Sequence, residues 1–153
     1  MRLLADFMLG KLARELRLLG VDCVYQKELS LEVVLKRAKN EERILLTRNT
    51  KLKDRELVLF ITSEKTPEQI CQVLKTFPAI ELKPFTRCIM CNVPLVERAK
   101  ESVKSNVPFY VFRTQERFYS CPECGKIYWR GTHYEDMKNR INQYLKNKIL
   151  GFY

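Results

Sequence analysis

With 153 residues, a formal net charge of +10 and 46% hydrophobic side chains, the chain can bury one or two cores and is basic enough to favour a polyanionic partner. No run approaches the roughly 18 apolar residues of a membrane-spanning helix, and the N-terminal MRLLADFMLGKLARELR acquires charges too early for a secretory signal, so neither is expected.

Residues 1–5 form a short apolar run suited to a buried strand, and Asp6 follows it directly. Over residues 7–19, Leu9, Leu12, Leu16 and Leu19 recur at helical spacing, while Lys11, Arg14 and Arg17 form a second, basic stripe. Gly20 supplies the C-cap. Residues 21–25 predict a second strand, and Ser30 is an N-cap for a helix to about residue 40 carrying Leu31, Val34, Leu35 and Ala38. The run RILLT at 43–47 is nearly continuous in apolar residues, as in strands covered on both faces. A short polar connector at 51–55 leads to a fourth strand at 57–61. Thr66-Pro67-Glu68-Gln69 then offers N-cap, N1 proline and N3 glutamine to a helix ending near Phe77 and Pro78. This alternation of strand and helix implies an α/β fold: a parallel sheet with right-handed crossovers and flanking helices. In such sheets ligands sit at the carboxyl ends of the strands.

After a break at 79–87 the pattern changes. Cys88-Ile-Met-Cys91 and Cys121-Pro-Glu-Cys124 are two CxxC pairs, each able to bring two thiolates from one tight turn to a single metal ion. One pair alone would leave a dithiol redox role open; two pairs, the second followed by Gly125, point to tetrahedral zinc. Four protein ligands leave the ion no position for water, so this zinc is expected to build structure, and catalysis is sought elsewhere. Thiols kept free for metal fit a reducing, cytoplasmic setting. Cys23 and Cys71 lie in apolar contexts and read as buried small side chains. Between the pairs, 109–112 and 117–120 read as ribbon strands around a turn at Thr114-Gln115, and 126–130 continues as strand. Thr132 with Glu135 forms a capping box for a final helix presenting Met137, Ile141 and Tyr144 or Leu145. The cysteine cluster lies wholly in the second half, which argues for two domains, 1–80 and 81–153.

Strand ends in the first half carry polar residues to one edge: Asp6, then Glu28 and Glu32, then Asn49, with Asp54 shortly beyond. Carboxylates converging there could hold Mg²⁺ or Mn²⁺, activate water and neutralise charge in phosphodiester hydrolysis. Asp and Glu at strand ends also serve as helix caps, and spacing alone leaves both readings open. Lys11, Arg14, Arg17 and Arg48 could line a phosphate rim beside Asp6, or be a solvated face. The aromatic residues from Phe109 to Trp129, interleaved with Arg113, Arg117, Lys126 and Arg130, could stack bases while cations hold phosphates, although about half of the rings must fill the ribbon core. His133, the only histidine, reads as a helix-start or phosphate-contact residue, because four cysteines already saturate zinc.

The runs DFMLGKLARELRLLGVD, ERILLTRN, CxxCN and CPECGKIYWRGTH together resemble, along nearly the whole chain, the Mut-seven C-terminal RNase family. The resemblance implies a PIN-like domain with an acidic, metal-binding edge that cleaves RNA, followed by a four-cysteine zinc ribbon, and it matches Asp6 to the family's first acidic residue. Two departures bear on activity. The family commonly reads LTRD where this chain has Leu46-Thr47-Arg48-Asn49, and Ser30 and Leu31 stand where Asp is frequent, leaving Glu28 and Glu32 as substitutes. The expected function is therefore a Mg²⁺- or Mn²⁺-dependent ribonuclease in RNA processing or decay, with RNA as partner. The alternative is a catalytically weakened RNA-binding or ribonucleoprotein adaptor.

Overall fold

A computed structural model describes residues 1–27 and 30–150, the last four by backbone alone. Its first half is a four-stranded, all-parallel sheet in which the first and third strands of the chain are central and the second and fourth are at the edges. The strands are β1 (Arg2–Ala5), β2 (Asp22–Tyr25), β3 (Ile44–Thr47) and β4 (Val58–Phe60). Helices α1 (Gly10–Leu18), α2 (Leu31–Asn40) and α3 (Thr66–Thr76) connect or follow them. Parallel pairing sets Ala5 beside Tyr25 on one side and Leu46 on the other, so the carboxyl ends of the strands lie along one edge.

Alternation along β1 and β3 divides the core. Leu3, Ala5 and Leu46 face a large cluster with Leu9, Leu12 and Leu16 near and within α1, and Ile70, Val73 and Leu74 from α3. Leu4 and Leu45 face the opposite layer, filled by Val34 and Ala38 of α2 and by Leu52. Each of these leucines, removed fully from water, stabilises the fold by about 1.5–3 kcal/mol, and central strands buried on both faces explain why β3 reads as an unbroken apolar run.

The second half contains a small antiparallel sheet, β5 (Val96–Arg98), β6 (Phe118–Ser120) and β7 (Ile127–Tyr128), in that order. Helix α4 (Phe109–Thr114) is inserted between β5 and β6, and α5 (Thr132–Leu150) ends the described chain. Ile141 and Tyr144 of α5 join the larger core cluster beside α1 and α3, so the chain returns to its first half. The α/β parallel sheet with flanking helices, followed by a ribbon and a C-terminal helix, agrees with the expectation from sequence.

Several local readings are corrected. The helix expected over 7–19 starts as a 3₁₀ turn, Phe7–Leu9, before α1. Thr66 lies inside α3, with Lys65 in the N-cap position and Pro67 one place later than read. Thr132 likewise begins α5, and the Gly131 carbonyl accepts the first N–H bonds, from Tyr134 at 3.0 Å and Glu135 at 3.3 Å. Residues 109–112, expected as a strand, belong to α4, which follows Pro108. The strand partner of β6 is instead β5, whose three residues are all exposed and carry no apolar alternation to announce it.

Candidate functional site

The carboxyl edge of the parallel sheet is built where β1 and β3 run side by side. The Asp6 N–H bonds the Leu46 carbonyl at 3.1 Å, continuing the ladder one step past the strand and fixing the direction of the Asp6 side chain. That carboxylate is only 6% exposed, and both of its oxygens accept hydrogen bonds. Oδ1 accepts from the Met8 N–H at 2.9 Å and so caps the 3₁₀ turn; Oδ2 accepts from the Thr47 hydroxyl at 2.5 Å. Thr47 Oγ1 in turn accepts the Asn49 N–H at 3.0 Å, and Asn49 Oδ1 accepts the Lys51 N–H at 3.0 Å, capping the 3₁₀ turn Thr50–Leu52. Asp6, Thr47 and Asn49 therefore form one connected chain of bonds across two strand ends. Thr47, fully buried, is the member that sequence reasoning missed.

The other residues assigned to this edge lie differently. Glu32 is exposed in the first turn of α2, Asp54 is exposed after the second 3₁₀ turn, and Glu28 lies outside the described residues. Among the described residues no three carboxylates converge to hold one metal ion; the group of Cys, His, Asp or Glu side chains that does come together is the four cysteines. Arg48 donates to the Ile61 and Thr62 carbonyls at 3.3 and 2.9 Å and approaches Glu64 at 3.3 Å, which ties it to the exit of β4. Lys11 and Arg14 are exposed on α1.

Arg17, read as the third member of that basic stripe, is buried and occupied. Its Nε donates to the Cys23 carbonyl at 2.8 Å, and its Nη1 donates to the Ile89 and Met90 carbonyls at 2.9 Å each. It joins the outer edge of β2 to the first cysteine turn. Asn92 does the same with its amide: Oδ1 accepts the Cys23 N–H at 3.0 Å and Nδ2 donates to Asp22 at 2.8 Å. β2 is an edge strand, and at Cys23 its outward N–H is satisfied by Asn92 from the second half of the chain and its carbonyl by Arg17 of α1. Burial opposes ionisation of Asp22, but hydrogen bonds from Arg43 and Asn92 outweigh it and hold the carboxyl below its usual range.

The Sγ atoms of Cys88, Cys91, Cys121 and Cys124 all lie within 4.8 Å of one another, with Cys88 and Cys124 at 3.9 Å. A tetrahedral zinc with bonds of about 2.3 Å holds its sulfurs about 3.8 Å apart, so the donor set fits that ion in both chemistry and spacing. The two turns are built alike. Asn92 N–H bonds the Cys88 carbonyl and Gly125 N–H the Cys121 carbonyl, both at 2.9 Å, and both closing residues are left-handed, at φ 67° and 72°. Glycine is the residue that adopts this conformation freely and asparagine the commonest substitute, which is why C-x-x-C is followed by N in one turn and G in the other. Burial raises the barrier to ionising Cys88, yet bonds from the Tyr128 hydroxyl at 3.2 Å and from the Cys91 and Met90 N–H groups outweigh it and bring the thiol down to about 7. At Cys23 burial prevails and pushes the thiol up to about 12, as befits a core residue outside the cysteine cluster.

The ribbon residues assigned to RNA are spread over its surface. Arg117 pairs with Glu97 at 3.0 Å and stands over the Tyr119 ring, and Lys126 stands over Tyr128. Exposed Arg130 stands over Tyr134 at 5.3 Å; exposed Arg113 stands over Phe109. Trp129 is half-buried against Phe118, and His133 is exposed in the first turn of α5, apart from the cysteine cluster.

A family model described as the Mut7-C RNAse domain matches residues 1–141, across both the parallel sheet and the cysteine ribbon. The chain belongs to the Mut7-C RNase domain family. That membership points to a ribonuclease-like function, and the four-cysteine cluster is able to bind a metal ion such as zinc. No curated protein and no solved structure matches the chain. No helix among the described residues of this Mut7-C member is long and apolar enough to cross a membrane.

Proposed function

We propose that this protein is an RNA-binding member of the Mut7-C RNase family whose hydrolytic centre, among the described residues, is reduced to one buried carboxylate. The observation that carries this reading is the bonding of Asp6. Both oxygens are used within the fold, Asn49 offers an amide that is already capping a turn, and Glu32 lies exposed on α2. A hydrolytic Mg²⁺ site draws on several oxygen ligands with negative charge among them, and a single capped aspartate gives it little. The +10 chain, with Lys11, Arg14, Arg113, Arg117, Lys126, Arg130 and His133 at its surface, retains the electrostatics for RNA, and zinc on the four cysteines keeps the ribbon in shape. Two domains, 1–80 and 81–153, share this work, the first carrying the edge and the second the grip, in the cytoplasm.

Family membership favours a second reading, in which Asp6, Glu28, Glu32 and Asn49 together hold Mg²⁺ or Mn²⁺ and the protein cleaves RNA in processing or decay. Incubating the zinc-loaded protein and its Asp6→Asn variant with single-stranded and structured RNA, with and without Mg²⁺ or Mn²⁺, separates the two. RNA retention with no metal-dependent cleavage in either protein is the expected result. Cleavage by the wild type that Asp6→Asn abolishes would establish the second reading instead.

A further inference from the structure

The two most exposed large apolar side chains among the described residues are neighbours: Phe109, 72% exposed, and Tyr110, 76% exposed, which open α4. Packing does not account for them, since α4 buries none of its six residues. What surrounds them is cationic. Arg113 stands over the Phe109 ring at 5.8 Å, and Lys100 and Lys104 stand over Phe112 at 5.3 and 5.7 Å. From 98 to 117 the chain carries Arg98, Lys100, Lys104, Arg113 and Arg117 against only Glu101 and Glu116. Lys100 and Arg117 are engaged by Glu116 and Glu97, whereas Lys104 and Arg113 have rings beside them.

Flat apolar faces set among cations suit a partner that offers flat π faces on an anionic backbone. We infer that α4, with Lys104 and Arg113, is a stacking platform for unpaired bases of a single RNA strand. This rests on the RNA reading above and adds the place of contact and the strandedness of the ligand. Consecutive residues on a helix point about 100° apart, so Phe109 and Tyr110 cannot sandwich one base; they take successive, splayed bases. A duplex keeps its base faces stacked on one another and offers these rings nothing to stack on. The insert is placed for this role because it lies between β5 and β6 in the chain and buries none of its residues, with Lys100 in the 3₁₀ turn leading into it and Arg113 on the helix itself.

The test is fluorescence anisotropy with the zinc-loaded full chain and no added Mg²⁺ or Mn²⁺, so that cleavage plays no part. The probes are a short unstructured RNA strand and an RNA duplex of the same length. The wild type is expected to prefer the strand. Each ring is expected to contribute about fivefold to a hundredfold in affinity, so Phe109→Ala/Tyr110→Ala loses at least about twentyfold on the strand and little on the duplex. Both rings are exposed, so the variant keeps its zinc and circular dichroism, and Phe109→Trp/Tyr110→Trp restores binding. Unchanged strand affinity in the alanine variant would overturn the platform while leaving the RNA reading standing. A wild type that binds neither probe overturns both. A change from dimer to monomer on sedimentation of the alanine variant would assign the face to a second copy of the chain and overturn the platform as well.

Discussion

Arg17 and Lys11 sit two steps apart on one basic stripe, and their fates separate because three residues fall short of a helical turn. Each step of three loses about 60°, so Arg17 is turned about 120° from Lys11, onto the face that meets β2 and the first cysteine turn. Its guanidinium then replaces solvent for three carbonyls. Replacing it by alanine leaves those carbonyls without their donor and removes a buried side chain; Arg17→Ala is expected to lower stability by about 2–4 kcal/mol, read by chemical denaturation. The salt dependence of RNA binding gives the complementary measure. Lys11→Ala, if Lys11 touches phosphate, reduces the slope of log K against log salt by about 1, whereas a folded Arg17 variant such as Arg17→Lys leaves it unchanged. An Arg17→Ala protein as stable as wild type would contradict the role given to it. Asp22 makes a pH-dependent prediction. Its carboxyl is lower in the folded state than the ordinary value of about 3.9, so its contribution is complete above that value and disappears as pH falls through the lower, folded one. The stability advantage of wild type over Asp22→Asn should therefore be constant near neutrality and shrink below about pH 4. An advantage that persists unchanged in acid would mean the Arg43 and Asn92 bonds do not depend on the charge.

The edge strand β2 is where the two halves depend on each other. Gly20 turns the chain from α1 into β2 at φ 83°, and a Cβ there would stand 2.1 Å from the Lys83 carbonyl oxygen. The segment that crowds it is itself fastened, since Lys83 and Phe85 N–H groups bond the Leu19 and Leu18 carbonyls at 3.0 Å each. Beyond it, Asn92 of the first cysteine turn closes the exposed edge at Cys23. If the metal holds that turn in shape, removing it should open the edge. Zinc chelation is expected to speed hydrogen exchange at the Cys23 amide while the central amides of β1 and β3 stay protected. Unchanged exchange at Cys23 would show that the turn keeps its form without metal. This coupling was illegible in the sequence. Asn92 could be read as the left-handed residue closing a C-x-x-C turn, but its amide reaches across 69 positions to Cys23, and no local pattern records such a pairing. The parallel sheet was legible, because β1 and β3 must be apolar on both faces and Ser30 and Gly20 punctuate the helices beside them. α4 was not: Phe-Tyr-Val-Phe has the composition of a strand, and its context after Pro108, with the rings turned to water, overrides that preference.

At the scale of the whole molecule, the chain joins a four-stranded parallel sheet to a ribbon that carries four clustered cysteines. The basic charge is distributed over both halves: residues 1–85 hold 16 basic and 12 acidic side chains, and residues 86–153 hold 12 and 6. A polyanion therefore meets a favourable surface on either half. α5 carries the chain back to α1, where Tyr144 donates to Glu15 at 3.3 Å and Arg140 approaches the same carboxylate at 3.3 Å, so the ribbon is flanked by contacts to the first half at both ends. Of the sheet's carboxyl edge, Asp6 and Asn49 were legible as residues, with capping and metal binding both open for the strand-end acids. That both act as caps, joined by Thr47, follows from the register of β1 on β3, which a sequence does not display. The decisive property of this edge is its affinity for a divalent ion. Mn²⁺ titration of the zinc-loaded protein, followed by electron paramagnetic resonance of the free ion, measures that directly in the wild type and in Asn49→Asp. No stoichiometric Mn²⁺ uptake by the wild type at millimolar ion is expected, and binding is gained when the carboxylate is supplied. One Mn²⁺ bound tightly per wild-type chain, and lost in Asp6→Asn, would contradict this.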